Sequence, residues 1–270
     1  MKALLLYAND DAALETRLQV GIELTRMFEG HLTCLHITPY NAFITADPFG
    51  GIYASPRVVE QLSEDEASHR ARVEARLQQS GIAWDWLSYN GQAAPVLVDC
   101  SRLADLVIVS TSVMPHGQDG PLTLAADVAL HAQSSVLAVP CETAKIDCFK
   151  SAVIAWNGSP EVGQALRFAL PMLRQAAAVH IVTVGEADIF KFPAAAAGRY
   201  LELHGIPSTL HERSYDGRDI ADIVLDAARD FHGDFIVMGA YGHSRIREAV
   251  LGGATRSMFK LSELPLLLAH

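Results

Sequence analysis

The sequence predicts an α/β chain of two tandem, doubly wound parallel sheets. Each is Rossmann-like and five-stranded, with helices on both faces. Three observations carry this reading. Short continuous apolar runs, the mark of strands buried on both faces, alternate with stretches of helical period. The runs recur in the same order in the two halves of the chain. Parallel neighbours need right-handed crossover connections, which leaves the doubly wound arrangement.

The first run, Ala3 to Tyr7, ends in Asn9-Asp10. Leu14, Leu18, Ile22 and Thr25 then follow an i, i+4 series, loosely. Leu32 to Ile37 reads as the second strand. Pro39 to Pro56 is a long loop rich in Gly, Pro and aromatics: a lid, an interface loop or a passive insertion. Leu62 to Ser80 reads as a surface helix, with Glu64, Asp65, Glu66, Arg70, Arg72, Glu74 and Arg76 forming a solvated face. Asp105 to Val109 and Ser135 to Val139 complete the first half. The second half repeats the series. Ala152 to Trp156 matches the first run and ends in Asn157-Gly158. Val162, Ala165, Leu166, Ala169, Leu170 and Leu173 lie on one helix face. Val179 to Val184 matches Leu32 to Ile37. Ile220, Ile223, Val224, Ala227, Ala228 and Phe231 form a second helix face. Asp234 to Met238 matches Asp105 to Val109, and Leu264 to Leu268 matches Ser135 to Val139. The stretch Cys141 to Lys150 has no period, so residues 1–141 are expected as a first domain, 142–149 as a linker and 150–270 as a second domain.

Composition narrows the function classes. The 270 residues are 50% hydrophobic and 19% charged, which excludes a disordered chain. With 21 Lys+Arg and 31 Asp+Glu the net charge is 21 − 31 = −10. Nucleic-acid binding and docking on an anionic membrane both need clustered cations, so neither is expected. A local anion site built from backbone amides remains open. Ala3 to Ala8 is too short for a leader and is followed by Asn9-Asp10-Asp11, so a cytoplasmic location is expected. Cys34, Cys100, Cys141 and Cys148 match no zinc spacing and are expected as reduced thiols. The eleven histidines show no HExxH, so no metal site is expected. Ser112, Ser159 and Ser244 lack a Gly-x-Ser-x-Gly setting, and no GxxxxGK(S/T) loop occurs.

The most informative stretch follows Met238. Gly239 and Gly242 stand at the C-terminal end of a buried strand, the edge at which open α/β sheets bind ligands. Gly252-Gly253-Ala254-Thr255 precedes a helical period of Ala254, Met258 and Leu261. A helix start offers unpaired amides and partial positive charge. Small residues there let an anion approach, and Thr255 adds a hydroxyl. His243, Arg245, Arg247 and Arg256 either neutralise that anion or lie in a solvated loop. Asp216-Gly217 and Asp219 read as a turn and a helix cap. Ser159 and Pro160 read as a cap and a first helical residue.

Gly239-x2-Gly242-x9-Gly252 resembles the glycine motif of ATP-binding universal stress proteins, and the resemblance covers the chain as two tandem copies. Gly253 stands where that family usually has Ser or Thr. Asn157 stands where it usually has an acid facing the nucleoside. By the same resemblance Asn157, Gly158, Thr183, Met238, Gly239, Tyr241, Gly242, Gly252, Gly253, Ala254 and Thr255 would hold the nucleotide. In the first half Ser110 and Val113 replace the first two glycines, although Asp10 keeps the acid. That half is expected to hold no ATP. The resemblance implies a stress-response regulator binding ATP or AMP in its C-terminal half, with Mg²⁺ arriving on the nucleotide and hydrolysis slow and incidental. It also implies an unidentified regulatory protein partner. The two closing strands would pair as an intramolecular pseudo-dimer, with a homodimer as the other arrangement. The rival reading is a scaffold that binds protein partners and no nucleotide.

Overall fold

In a computed structural model of the chain, the residues described are 1–39, 45–46, 52–53, 56–111, 123–141, 150–185, 192–240 and 253–270. The chain runs β1 (Ala3–Tyr7), α1 (Leu14–Met27), β2 (His31–Thr38), β3 (Thr45–Ala46), β4 (Ile52–Tyr53), α2 (Pro56–Gln78), β5 (Ala83–Asn90), α3 (Ala93–Cys100), β6 (Leu106–Ser110), α4 (Leu124–His131) and β7 (Ser135–Val139). It continues through β8 (Ser151–Ala155), α5 (Pro160–Leu173), β9 (Ala178–Val184), α6 (Ala194–Leu203), β10 (Thr209–Arg213), α7 (Ile220–Asp230), β11 (Phe235–Gly239), α8 (Gly253–Leu261) and β12 (Leu266–Ala269).

Ten strands form one sheet in the order β10-β9-β8-β11-β12-β7-β6-β1-β2-β5. Every pairing in it is parallel except β12 with β7, which is antiparallel and sets Leu267 opposite Leu137. The strand order reverses between β1 and β6 and again between β8 and β11. These are the two places where a doubly wound sheet opens a crevice at its strand ends. The short strands β3 and β4 pair with each other inside the 39–56 loop, and the rest of that loop lies outside the described residues, as does 142–149.

Each face of the sheet carries one core. Leu4, Leu6, Val237 and Leu267 meet Leu18, Leu77, Leu166 and Leu201 on the face of α1, α2, α5 and α6. Val107, Ala138, Ile236 and Leu268 meet Leu97, Val128, Val224 and Met258 on the face of α3, α4, α7 and α8. Both cores run across the β7–β12 pairing. The alternation of inward faces explains why the strands read as continuous apolar runs.

The same device starts each parallel array. The Asp105 carboxylate, just before β6, accepts from the amides of Lys2 and Ala3 at the start of β1. The Asp234 carboxylate, just before β11, accepts from the amides of Lys150 (2.7 Å) and Ser151 (2.8 Å) at the start of β8. Partial burial would push the Asp105 carboxyl up. The two amides and the chain's ammonium outweigh it and hold the group below the usual range. The caps stand where the sequence places them. Ser159 Oγ accepts from Val162 N (3.3 Å) with Pro160 next, and Asp219 Oδ1 accepts from Ala221 N (3.0 Å). Helix α2 begins at Pro56, ahead of the expected Leu62, with proline in the first turn where its missing N–H costs nothing. Cys34 and Cys100 are free thiols, and burial pushes Cys34 up to about 12. Among the described residues no helix is long and apolar enough to cross a membrane.

Leu137→Ala and Leu267→Ala should each destabilise the protein by about 2–5 kcal/mol in urea unfolding. The double variant should fall short of the sum by about 0.5–3 kcal/mol, because the two side chains face each other across the antiparallel pair. Strict additivity would show that the seam is not a shared core.

Candidate functional site

The crevice between β8 and β11 is built from two strand ends and a helix start. Trp156, just past β8, is buried. Its amide donates to Val182 O of β9 (2.8 Å) and its indole to Phe192 O (3.0 Å). Asn157 is exposed. Its Oδ1 accepts from Ser159 N (3.1 Å), closing a turn in which Gly158 takes φ +72°, a conformation favouring glycine. The Gly158 carbonyl accepts from Phe192 N (3.3 Å). The loop after β8 is therefore held from below by β9 and from the side by the residue preceding Pro193 and α6.

Gly239 closes β11 directly against the first turn of α5. A Cβ at this position would come 2.7 Å from Val162 N and 2.9 Å from the Glu161 side chain. Its lack of a side chain is thus required for helix–strand packing. The next residue, Ala240, is satisfied internally: its amide donates to Ala269 O (2.8 Å) and its carbonyl accepts from His270 Nδ1 (2.9 Å). Met238 is buried on the opposite face. Thr183 is half-buried on β9, opposite Glu212 of β10. Gly253 is exposed at the start of α8, where a Cβ would meet no described atom within 4 Å; Ala254 is half-buried, Thr255 buried and Arg256 exposed. Ser257 Oγ donates to Asp219 Oδ2 (2.5 Å), tying α8 to the cap of α7. That hydroxyl, then the Ala221 amide, holds the Asp219 carboxyl below its usual range. Tyr241, Gly242, Gly252, His243, Arg245 and Arg247 lie outside the described residues.

Two residues that the sequence did not single out shape these crevices. Glu161, whose Cβ lies against Gly239, has its Oε2 buried with no hydrogen-bond partner. A bare carboxylate oxygen there suits a cation and repels a bare phosphate. In the first half Arg17 of α1 is fully buried at the matching crevice. Nε donates to Tyr7 O (2.8 Å), Nη1 to Asp11 Oδ1 (2.9 Å) and Ser110 Oγ (2.8 Å), and Nη2 to Asn9 O (3.1 Å) and Asp11 Oδ2 (2.7 Å). The guanidinium fills the space where the ends of β1 and β6 part. Asn9 locks β1 to β2 through Ile37 in both directions, and Asp10 pairs with Arg72 (2.6 Å). At the same spacing from the strand end, the second half has Ala165 for Arg17 and Gly239 for Ser110. Among the described residues no group of three His, Cys, Asp or Glu side chains is placed to hold a metal.

Asp11→Ala should destabilise by about 3–5 kcal/mol, because it strands a buried guanidinium. Arg17→Met, which fills similar volume without charge, should cost less than Asp11→Ala in the same urea assay. Equal losses would mean that the pair acts only through its packing. Gly239→Ala should cost about 1–3 kcal/mol from overpacking against α5, read as a lowered Tm.

No family model matches the chain, and no curated protein matches it. Solved structures do. A universal stress protein from Archaeoglobus fulgidus DSM 4304 is 14% identical, with 99% of this chain and 96% of that chain covered and a TM-score of 0.75. A putative universal stress protein from Pseudomonas aeruginosa UCBPP-PA14 is 14% identical over 100% and 93%, TM-score 0.58. The cytoplasmic domain of a prokaryotic cation chloride cotransporter is 12% identical over 99% and 95%, TM-score 0.53. The chain thus has, over its whole length, the α/β fold of the universal stress proteins.

Proposed function

We propose that this chain is a tandem universal stress protein that binds an adenine nucleotide, ATP or AMP, in its C-terminal half and acts as a cytoplasmic stress-response regulator. The observation that carries the reading is the open first turn of α8. Gly253 leaves room around amides that have no intrahelical partner, at the end of a Gly-x2-Gly-x9-Gly motif. The phosphates lie on those amides. Thr255 steadies the turn, and Thr183, Met238 and Asn157 stand along the strand ends on the nucleoside side. Asn157 offers a neutral amide there, because its oxygen already serves its own turn. Glu161 would hold the Mg²⁺ that travels with the nucleotide, whose charge screens the carboxylate from the phosphates. No described residue is placed as a general base, so hydrolysis is slow and incidental to binding.

The first half, with Arg17 in its crevice, takes no nucleotide and supports the second half through the β7–β12 pairing as an intramolecular pseudo-dimer. Homodimers and an unidentified regulatory protein are further partners that the reading allows. The second reading, a scaffold without nucleotide, is favoured by the packing role of Gly239.

Calorimetry with ATP, AMP and dAMP separates the two. Nucleotide binding at about one site per chain is expected. Gly253→Val should weaken it at least about tenfold, ~1.4 kcal/mol, while leaving the Tm nearly unchanged because the added side chain meets open space. No binding by the native chain would favour the scaffold. Equal binding by the variant would remove α8 from the site.

A further inference from the structure

Two buried imidazoles lie beneath α2 in the first half. His36 on β2 is 8% exposed and His69 on α2 3%. Their ring centroids are 5.3 Å apart. Trp86 of β5 stacks on His36 at 5.8 Å and meets His69 edge-on at 5.7 Å. His69 Nε2 faces the Ala8 carbonyl, which can only accept, so this nitrogen carries the ring's hydrogen. Nδ1 lies 3.5 Å from Arg72 Nη2 and 3.9 Å from Asp10 Oδ1. Nδ1 of His36 is buried without any partner.

This pair sits at a decisive place on α2. Across residues 57–68 no side chain of the helix is buried. His69 is the first that is, followed by Val73 and Leu77. Glu66, half-buried, adds a bond from Thr38 Oγ1 at 3.2 Å. Among the described residues the leading half of the helix therefore rests on His69 with the half-buried Glu66 and Leu62, while the trailing half is fixed mainly by the apolar contacts of Val73 and Leu77.

We propose that His36 and His69 form a proton-sensitive latch, which holds the leading half of α2 on the sheet while His36 is neutral and releases it when His36 takes a proton. A charge on His36 would lie 5.3 Å from the His69 ring, on a ring whose Nδ1 is buried without a hydrogen-bond partner. The charged groups facing the pair are Glu66 and Arg72 from α2 and Asp10 from the loop after β1. The two carboxylates favour the imidazolium and Arg72 opposes it. Burial is the largest influence on His36 and pushes it below the usual histidine range. Glu66 pulls it back, His69 pushes it further down, and the Ala8 backbone and Asp10 pull it up, with burial still prevailing. The released state thus binds the proton more readily than the docked one. Docking is at full strength above the ordinary histidine value of about 6.5 and is lost as the pH falls below it.

Hydrogen exchange of the native chain, corrected for intrinsic rates, tests this at pH 7.5 and 5.5. Protection across 57–72 should fall several-fold, up to a ceiling of about tenfold (~1.4 kcal/mol) for one histidine, while 73–78 changes little. Trp86 emission should be quenched over the same pH range, as the indole is stacked on the ring that gains charge. His36→Phe keeps an aromatic ring without a proton site and should remove both effects. Unchanged protection in the native chain at pH 5.5, or the same loss in His36→Phe, would overturn the proposal. Should that variant not fold, the NMR titration of His36 in the native chain decides. A midpoint below 6.5 coinciding with the release of 57–72 supports the latch, and a midpoint at or above 6.5, or one separate from the release, refutes it.

Discussion

The antiparallel pairing of β7 with β12 is the constraint on which the rest of the molecule depends. Each closing strand, left alone, would present a bare row of backbone donors and acceptors and an apolar flank, a template for unwanted association. Joined, they become the middle of a ten-stranded sheet, and every residue of both strands is buried. Burial then declines outward, so that the two edges of the assembly, β5 and β10, carry mostly exposed or half-exposed residues. Because the seam is antiparallel, the parallel arrays on either side run in opposite directions. The crevice between β1 and β6 and the crevice between β8 and β11 consequently open on opposite margins of the sheet, and neither can borrow residues from the other.

With the crevices separated, the two halves were free to diverge at their strand ends while keeping the devices that register the strands. Asp105 and Asp234 perform the same clamping of a strand start. Arg17 and Ala165 do not correspond in chemistry at all. A buried guanidinium is tolerated only when its donors are satisfied, and Arg17 meets that condition with five hydrogen bonds, two of them to a carboxylate that also balances its charge. A half that satisfies its strand ends internally has little left to offer a ligand.

Most of the fold was legible because parallel strands buried on both faces write long apolar runs. Ala3–Tyr7 and Ser135–Val139 have the bounds expected of them. The two outer strands were not legible. Trp84-Asp85-Trp86 and His211-Glu212-Arg213 mix polar and apolar residues, because an edge strand is solvated on one side and its pattern fades into that of a loop. The loose apolar period of α1 was itself a signal. Leu14, Leu18 and Ile22 leave gaps that Arg17 and Gly21 fill on the buried side, and no period rule anticipates a buried arginine. At the candidate site the glycines were legible as glycines but their reasons were not. A missing Cβ at Gly239 serves the approach of α5, a tertiary contact between segments distant in sequence. Glu161 looked like an ordinary acid in a first helical turn, which it also is.

These distinctions decide which backbone groups at the second crevice are able to receive an anion. The start of α5 is capped by Ser159, so one of its amides is already bonded, and Glu161 adds negative charge beside it. Ala240 has committed both its amide and its carbonyl to the end of the chain. At the first turn of α8, by contrast, a Cβ on Gly253 would meet no described atom within 4 Å, and Thr255 is buried. On the proposed reading the two helix starts at this crevice would differ in electrostatic character, one carrying the Glu161 carboxylate and the other the partial positive charge of a helix N-terminus. On the reading proposed above, a metal-bearing phosphate would satisfy both, with Glu161 holding the cation and the first turn of α8 receiving the oxygens. A bare phosphate would satisfy one and be repelled by the other, so the proposed site would favour a ligand that carries both signs of charge.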